Sequence, residues 1–345
     1  MGFFSRKPKP TFQATIQSLG KSIQIKHRQT LLEAALDAGL DFPFSCGAGS
    51  CTTCKCKLIQ GEYKDLSDMS LVLSPSDLKK GYILACQTIP KTDLIVTLEA
   101  DDSKEYLGEI VQSTLLTHDI IELKIRLNEK IKYVAGQYAD ITVPTIKGSR
   151  SYSFASAPGA GGSNFEVIFH LRLVPKGEMT TWAHEASRVG EKVRLIGPRG
   201  SFGLRTHKKN LLFIAGGSGM APVKAILEDI AQKKLDHRII YLFGARTQKD
   251  LYCLEEMKRL EKSMEGRFVF FPVLSNEDTG STWQGERGLV ADYIEKIDFA
   301  YDDATAYLCG PPPMIDAAIP KLNAKGISAD DIFFDKFTDK SHVKH

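Results

Sequence analysis

The segment Cys46-Gly-Ala-Gly-Ser-Cys51-Thr-Thr-Cys54 decides how the first part of this 345-residue chain folds, and a further cysteine, Cys86, follows after a long gap. This C-x4-C-x2-C spacing with a distant fourth cysteine is typical of a 2Fe–2S cluster. Four thiolates must converge on two irons, and the small residues of the segment allow its backbone to curl closely around them and to point N–H groups at the sulfurs. We therefore predict Cys46, Cys51, Cys54 and Cys86 as the metal ligands.

A structural zinc site is the alternative for the same cysteines. Such sites usually combine two C-x2-C knuckles, and the segment contains only one. Cys56, two residues after Cys54, is predicted to be a buried structural thiol because the segment already supplies three ligands. Four of the seven cysteines crowd between Cys46 and Cys56, a distribution that indicates metal binding rather than a disulfide framework.

Length and composition indicate a multidomain globular protein. At roughly 100–200 residues per domain, the chain has room for two or three domains, and its 43% hydrophobic and 25% charged residues are ordinary for a packed core. A net charge of +3 and the lack of a nucleic-acid motif predict no nucleic-acid partner. No apolar run approaches the ~18 residues of a membrane helix, and the start of the chain is not typical of an export signal, so we predict a cytoplasmic protein.

Three segments differ in their hydrophobic pattern and predict three domains, at 1–103, 104–206 and 207–345. The first has short apolar stretches, a helix-like run at 30–38 and a last strand at 94–98. The third alternates strand-like with helix-like runs, which indicates a parallel sheet flanked by helices. The second segment shows the period of two expected of a half-buried sheet or barrel, with apolar positions at Ile121, Leu123, Ile125, Leu127, Val167, Phe169, Leu171 and Leu173. The predicted fold class is therefore multidomain, α+β and α/β.

Two neighbouring motifs in the second segment are suited to a flavin nucleotide. Arg150-Ser-Tyr-Ser153 offers a planar guanidinium for a phosphate, a flat ring to stack on a flavin and a short hydroxyl donor. Gly177-Glu-Met-Thr-Thr-Trp182 follows about one strand later as a turn that opens a helix, and the N–H groups at a helix start bind phosphate well. The first motif is short, and a surface strand charge beside a half-buried tyrosine is the alternative.

Two glycine-containing turns in the third segment are suited to a nicotinamide dinucleotide. Gly216-Gly-Ser-Gly-Met-Ala-Pro222 lies between an apolar strand and a helix, which would place a pyrophosphate at the helix start. It differs from the general G-x-G-x-x-G fingerprint, so a plain strand-to-helix turn is the alternative. Cys309-Gly-Pro-Pro-Pro-Met314 also joins a strand to a helix, and a buried core thiol is the alternative for Cys309. Cys253 has no such neighbours and is predicted to be structural.

The cysteine segment, with Pro43-Phe-Ser before it and Leu84-Ala-Cys-Gln87 around the fourth cysteine, resembles the plant-type ferredoxin domain, which has a β-grasp fold. The two flavin motifs together resemble the FAD domain of the ferredoxin–NADP reductase superfamily, an antiparallel β-barrel with one helix. This resemblance implies FAD, with Arg150 at its pyrophosphate, Tyr152 packed on the isoalloxazine and Ser153 at the N5 edge. It also implies that the second motif holds the pyrophosphate, so the implied FAD-binding residues are Arg150, Ser151, Tyr152, Ser153, Gly177, Met179 and Thr180.

The glycine turns resemble the GG-[ST]-G-x-x-P and C-G-x-P-x-M motifs of the same superfamily, whose NAD(P)-binding domain is Rossmann-like. The resemblance implies that Cys309 approaches the reacting carbon of the nicotinamide. Phe333-Phe-Asp-Lys-Phe337 resembles the closing strand of the family, where an aromatic side chain covers the flavin. Phe337 therefore joins Cys309 and Ser153 in the implied catalytic set. The other implied contacts to the dinucleotide come from Gly216, Gly217, Ser218, Gly219 and Gly310.

The segment after the second strand of the third part bears on the choice of coenzyme. A 2′-phosphate is matched by an arginine, whereas a free ribose 2′-hydroxyl is matched by a carboxylate. Arg246 therefore permits NADPH and is predicted to bind the coenzyme, and Asp250 lies nearby. NADH is favoured because similar oxygenase reductases commonly use it, and dual use stays open.

A chain with sites for a nicotinamide, a flavin and a 2Fe–2S cluster favours one order of electron transfer. A nicotinamide gives two electrons as a hydride, a 2Fe–2S cluster accepts one at a time, and a flavin can do both. The order of the domains resembles the reductase components of bacterial multicomponent oxygenases, including those of phenol hydroxylase, methane monooxygenase and benzoate dioxygenase. That resemblance implies transfer from NAD(P)H through FAD and the cluster to a terminal oxygenase, hydroxylase or desaturase protein.

Two other interpretations stay open. The partner could be a membrane fatty-acid desaturase, an alkane hydroxylase or a deoxysugar-forming enzyme, in which case the arm Phe3-Phe-Ser-Arg-Lys-Pro-Lys9 could make a weak contact with a membrane surface. The chain could instead be a non-catalytic redox sensor that uses the cluster as a signal.

Overall fold

The computed structural model describes residues 10–40, 42–44, 49, 53–67, 69, 73, 75–98, 103–159, 161–205 and 208–337. The described chain forms two compact units, one within residues 10–98 and one within residues 103–337. Over these ranges, no helix is both long enough and apolar enough to span a membrane. The arm at residues 3–9 lies outside the described residues, as do the predicted ligands Cys46 and Cys51.

The first unit is built on a mixed five-stranded sheet of order β2-β1-β7-β3-β5, in which β1 and β7 are parallel and the other neighbours are antiparallel. A second, two-stranded ladder joins β4 and β6. The elements in chain order are β1 (Phe12–Ile16), β2 (Lys21–Ile25), α1 (Leu31–Asp37), β3 (Lys55–Gln60), β4 (Tyr63–Asp65), α2 (Pro75–Lys79), β5 (Tyr82–Leu84), β6 (Thr88–Pro90) and β7 (Leu94–Thr97).

Helix α1 begins at a reciprocal pair of hydrogen bonds. The Thr30 hydroxyl accepts from the backbone N–H of Glu33 at 3.1 Å, and the Glu33 carboxylate accepts from the N–H of Thr30 at 2.8 Å. Two donors that the first helical turn leaves without partners are thereby satisfied. The predicted helix at 30–38 is confirmed, and its apolar face packs into the core of this unit through Leu31, Leu32, Ala34 and Ala35.

The first half of the second unit is an antiparallel six-stranded sheet of order β11-β10-β13-β8-β9-β12, which curls into a barrel. Its edges meet where Phe154, just after β11, pairs with Phe169 of β12. The N–H of Ala155 adds a bond to the carbonyl of Ile168 at 2.7 Å. The elements are β8 (Lys104–Leu115), β9 (Ile120–Lys132), β10 (Tyr138–Thr142), β11 (Arg150–Ser153), β12 (Ser163–Arg172), α3 (Glu178–Glu185) and β13 (Lys192–Arg199).

The period of two in the sequence accounts for the core of this barrel. The four alternating apolar residues of β9 and the first three of β12 are all buried, as predicted. Leu173 is the exception: it lies one residue past the end of β12 and is 38% exposed. The alternation ends there because the chain leaves the ladder, so the prediction that Leu173 faces the core is wrong.

The second half of this unit is a parallel six-stranded sheet of order β17-β16-β15-β14-β18-β19, with helices on both faces. The predicted alternation of strands and helices is confirmed. Strand β17 was not predicted, since its two residues are too short to show a pattern. The elements are β14 (Asn210–Gly216), α4 (Met220–Gln232), β15 (Arg238–Ala245), α5 (Leu254–Ser263), β16 (Phe268–Leu274), β17 (Glu286–Arg287), β18 (Ala304–Gly310), α6 (Pro312–Ala324) and β19 (Ile332–Lys336).

The barrel core generates a stability prediction. Phe169 is fully buried and stands at the pairing that joins the barrel edges, whereas Phe165, four residues earlier on the same strand, is 50% exposed. We expect Phe169→Ala to lower the free energy of unfolding by about 3–5 kcal/mol through lost burial and a residual cavity. Phe165→Ala is the matched control and should change it by less than about 1 kcal/mol. Chemical denaturation monitored by circular dichroism measures the free energy of unfolding of both variants. Equal losses of stability would contradict the placement of Phe169 in the barrel core.

Candidate functional site

Two of the four predicted metal ligands are brought together in the first unit. Cys54 lies just before β3 and Cys86 lies in the turn just after β5, and the pairing of these strands places them side by side. Their Sγ atoms are 3.4 Å apart and both residues are at least 96% buried. Two thiolates bound to one tetrahedral metal at roughly 2.3 Å lie about 3.8 Å apart, so this pair fits a shared metal centre. Cys46 and Cys51 lie outside the described residues.

Cys56 belongs to the core of the first unit, as predicted. Its side chain is fully buried among the apolar residues under the sheet. Burial, and to a lesser degree the neighbouring Cys86, raises the pKa of the Cys56 thiol to about 12. Cys56 therefore stays protonated at neutral pH and behaves as a small apolar side chain.

Gln87 is a polar residue at this site that the sequence reasoning did not select. Its Nε2 donates to the backbone carbonyl of Cys86 at 3.1 Å and lies 3.5 Å from the Sγ of Cys86. Ser67 donates to Gln87 Oε1 at 2.8 Å, which fixes the orientation of the amide. The side chain packs against Gly49, where a Cβ would approach Gln87 to 2.7 Å. Gln87 thus supports the cysteine segment and directs an N–H at the sulfur of Cys86, a predicted ligand.

The two predicted flavin motifs meet in the barrel. Arg150 begins β11, and its Nη2 lies 3.5 Å from the carboxylate of Glu178, the first residue of α3. The Arg150 side chain is one-third exposed. The structure therefore brings a guanidinium and the N-terminus of a helix to one place, an arrangement with the charge and the donors that a pyrophosphate requires.

The turn before α3 is held by its own side chains. The Thr180 hydroxyl accepts from the N–H of Val174 and donates to the carbonyl of Gly177, both at 3.1 Å. Met179 is buried in the barrel core. The side chains of Met179 and Thr180 are therefore directed into the protein, so a phosphate at this turn would be bound by backbone N–H groups.

The remaining residues of the first flavin motif have different surroundings. Tyr152 is partly buried and packs against the barrel core, and Ser153 is 7% exposed. Ser151 donates to a carboxylate oxygen of Asp140 at 2.5 Å, and Arg199 donates to the other oxygen at the same distance. Ser151 is thus engaged within the protein, on the strand face opposite to Arg150 and Tyr152.

The two predicted nucleotide turns approach each other closely at the carboxyl edge of the parallel sheet. A Cβ at Gly219 would lie 2.2 Å from the carbonyl oxygen of Cys309. A Cβ at Gly310, where φ is +135°, would lie 2.7 Å from the carbonyl oxygen of Gly216. Both positions therefore require glycine. The turns are adjacent because β14 and β18 are parallel neighbours, with Ala215 opposite Cys309.

A cavity of about 270 Å³ opens beside these turns. Because it lies at the ends of parallel strands, it has the usual location of a nucleotide in an α/β sheet. Tyr252 donates to the carbonyl of Gly217 at 2.9 Å and fixes one wall. The lining includes Gly216, Gly217, Gly244, Arg246, Pro311 and Met314.

Cys309 and Phe337, two of the predicted catalytic residues, lie near this edge. Cys309 is fully buried, and burial raises the pKa of its thiol well above the ordinary value, with a smaller contribution from Asp335. Phe337 follows β19, its N–H donates to the carbonyl of Gly310 at 2.8 Å, and its ring packs against the core of this half. Cys309 is therefore a neutral thiol.

Arg246 follows the end of β15 and lines the cavity, but its guanidinium is engaged. Its Nη2 lies 2.6 Å from Asp250 and 3.2 Å from Asp119, a residue that the sequence reasoning did not select. Asp119 also accepts from Arg172 Nε at 3.0 Å. No local sequence motif predicts Asp119 or Arg172 as cavity residues. Both belong to the barrel, and only the fold brings them beside the cavity.

Three family models match consecutive parts of the chain. The 2Fe–2S iron–sulfur cluster binding domain matches residues 14–91, the oxidoreductase FAD-binding domain residues 108–203, and the oxidoreductase NAD-binding domain residues 213–319. These matches confirm the predicted fold class, the oxidoreductase assignment and the cofactors, namely a 2Fe–2S cluster, FAD and a nicotinamide dinucleotide.

Whole-length relatives share this organisation. The xylene/toluene monooxygenase electron transfer component XylA of Pseudomonas putida is 38% identical, over 96% of this chain and 95% of its own. The phenol 2-monooxygenase reductase component DmpP of a Pseudomonas species is 36% identical, over 95% and 94%. The solved ferredoxin reductase of carbazole 1,9a-dioxygenase superposes with a TM-score of 0.65 at 26% identity, over 96% of this chain and 100% of its own. The chain therefore belongs to the family of electron-transfer reductase components of multicomponent oxygenases, as its sequence motifs predict.

Proposed function

We propose that this chain oxidises NADH and delivers single electrons to a partner oxygenase or hydroxylase. The observation that carries the proposal is the presence, in one chain, of a buried thiol pair 3.4 Å apart and a nucleotide cavity at the end of a parallel sheet. FAD, when bound, supplies the conversion of a two-electron hydride into single electrons, and the 2Fe–2S cluster supplies the one-electron relay to the partner.

The residues of the chain bind and orient these groups. The four cysteines would hold the cluster, with Cys46 and Cys51 completing the pair formed by Cys54 and Cys86. Arg150 and the N–H groups at the start of α3 would bind the FAD pyrophosphate, and Tyr152 and Ser153 would contact the flavin ring. Residues 216–219 would bind the dinucleotide, with Gly310 admitting it closely, and Cys309 and Phe337 would border the nicotinamide.

We also propose the domain boundaries 1–103, 104–206 and 207–345 and a cytoplasmic location. Cys56, Cys253 and Cys309, which lie outside the predicted ligand set, are free thiols, and this supports a reducing compartment. The names of the relatives refer to monooxygenases and dioxygenases, which favours an oxygenase or hydroxylase partner over a desaturase.

Loss of one cluster ligand tests the order of electron transfer. We expect Cys86→Ser to abolish the 2Fe–2S spectrum and to reduce NADH:cytochrome c activity to background, because the cluster needs four thiolates. NADH:ferricyanide activity, which draws electrons from the flavin, should largely survive. Cys253→Ser is the control and should retain both activities. If both activities vanish in a Cys86→Ser protein that remains folded, the proposed order is wrong.

The flavin assignment is tested at Arg150. We expect Arg150→Ala to lower the FAD content of the purified protein, because the guanidinium would no longer balance the pyrophosphate charge. Arg126→Ala, which removes an exposed arginine paired with Glu166 on the barrel surface, is the matched control. FAD content is measured by absorbance after extraction, and full retention in the Arg150 variant would remove this residue from the site.

The contact from Gln87 to Cys86 predicts an effect on the cluster potential. A hydrogen bond to a ligand sulfur stabilises the more negative, reduced cluster. We therefore expect Gln87→Leu to shift the midpoint potential to a lower value, and Ser67→Ala to shift it less in the same direction. Gln60→Leu, at an exposed end of β3, should leave it unchanged. A spectroelectrochemical titration measures the midpoint potentials of the three variants. An unchanged or raised potential in Gln87→Leu would contradict the proposed hydrogen bond from Gln87 to the sulfur of Cys86.

A further inference from the structure

Asp119 lies at the border between the barrel and the nucleotide cavity, in the turn that joins β8 to β9. Its carboxylate is only 15% exposed. The Thr117 hydroxyl donates to Oδ1 at 3.0 Å, while Oδ2 accepts from Arg172 Nε at 3.0 Å and from Arg246 Nη2 at 3.2 Å. One carboxylate thus bridges two arginines that line the cavity, one from each half of the unit.

The same nitrogen, Arg246 Nη2, also contacts Asp250 and lies 3.4 Å from His118 Nε2. Asp250 Oδ1 accepts from Arg246 at 2.6 Å, and Oδ2 accepts from the N–H and the hydroxyl of Thr247, both at 2.8 Å. Although burial alone raises the pKa of Asp250, the bonds from Thr247 and Arg246 outweigh it and the pKa is lowered. Asp250 is therefore ionised at neutral pH and pairs with Arg246.

The location of Arg246 gives this network a consequence for the coenzyme. Arg246 follows the end of β15, the second strand of the nucleotide sheet in chain order, where the adenosine ribose of a dinucleotide is bound. An unpaired arginine there would attract a 2′-phosphate. Here the carboxylates of Asp119 and Asp250 both pair with Nη2 of the half-exposed guanidinium, so an incoming 2′-phosphate would face two negative groups.

We propose that Asp119 is a specificity-determining residue that selects NADH over NADPH by holding the Arg246 guanidinium in an ion pair. This inference rests on the proposed function, since it concerns the coenzyme of that reaction. Asp250 contributes to the same pairing, but it also fixes the turn after β15, so Asp119 is the position at which specificity is tested without disturbing that turn.

Arg172 provides an internal reference for this proposal. A Cβ at Gly217 would lie 3.3 Å from Arg172 Nη1, so the guanidinium stands beside the glycine turn where the pyrophosphate is expected. NADH and NADPH share that pyrophosphate. A substitution of Asp119 that acts through Arg172 should therefore change kcat/KM for NADH and for NADPH by the same factor, and the ratio of the two should stay constant. A substitution that acts through Arg246 should change kcat/KM for NADPH alone.

The same carboxylates do not form a metal site. His118, Asp119 and Asp250 bring their ligating atoms within 4.8 Å of one another. Arg172 and Arg246 already donate to these carboxylates, and a divalent cation would have to replace both guanidinium groups.

The test uses the FAD- and cluster-loaded full chain with Asp119→Asn, Arg246→Ala, the double variant and the control Asp236→Asn. Asp236 precedes the start of β15 at the opposite edge of the sheet, where it pairs with Lys209 and Arg267. The readouts are kcat/KM for ferricyanide reduction with NADH and with NADPH, and the calorimetric affinities for 5′-ADP and 2′,5′-ADP.

We expect Asp119→Asn to raise the NADPH:NADH ratio of kcat/KM about tenfold, equivalent to about 1.4 kcal/mol. The affinity for 2′,5′-ADP should rise relative to that for 5′-ADP by a similar factor. Both gains should disappear in the double variant, and Asp236→Asn should show neither.

Three outcomes overturn the proposal. An unchanged ratio in Asp119→Asn, while NADH still reduces the protein, overturns this inference alone, as does a gain that persists without Arg246. Failure of both coenzymes to reduce the wild-type chain overturns the proposed function and this inference with it.

Discussion

The cavity at the carboxyl edge of the parallel sheet depends on two turns that approach each other without a side chain between them. Strands β14 and β18 end side by side, and the turn after each one passes the backbone of the other. Gly219 lies against the carbonyl of Cys309, and Gly310 lies against the carbonyl of Gly216. A larger residue at either glycine would separate the start of α4 from the end of β18. The close approach therefore fixes both walls of the cavity at once.

Helix α4 connects this arrangement to the barrel. Lys224 is 6% exposed; its Nζ donates to the carbonyl of Ala155 at 2.9 Å and pairs with Glu228 at 2.6 Å. Glu228 in turn accepts from the N–H of Ala157 at 2.9 Å. A buried ion pair is favourable only when its remaining polar atoms are satisfied. Here the carbonyl of Ala155 and the N–H of Ala157 satisfy them. The helix that begins at the glycine turn thus also holds the chain that leaves β11.

Much of the fold could be predicted because its signals are local. The alternation in β9 and β12, the strand–glycine–helix units and the cysteine spacing are each contained in a few adjacent residues. What the sequence did not predict depends on distant pairing. Asp119 reaches Arg246 across 127 positions, and Gln87 is oriented by Ser67, 20 positions away. Met179 stays a predicted FAD-binding residue, but its side chain is in the barrel core, so its contact would come from the backbone, which only the packing reveals.

The nearness of Cys54 and Cys86 also has a consequence for handling the protein. Thiols already in van der Waals contact need only a small shift to reach the ~2 Å bond of a disulfide. In a chain that has lost its metal, molecular oxygen would then cross-link the two side chains and remove half of the predicted ligand set. Reconstitution from air-exposed material would accordingly need a thiol reductant before iron and sulfide are added.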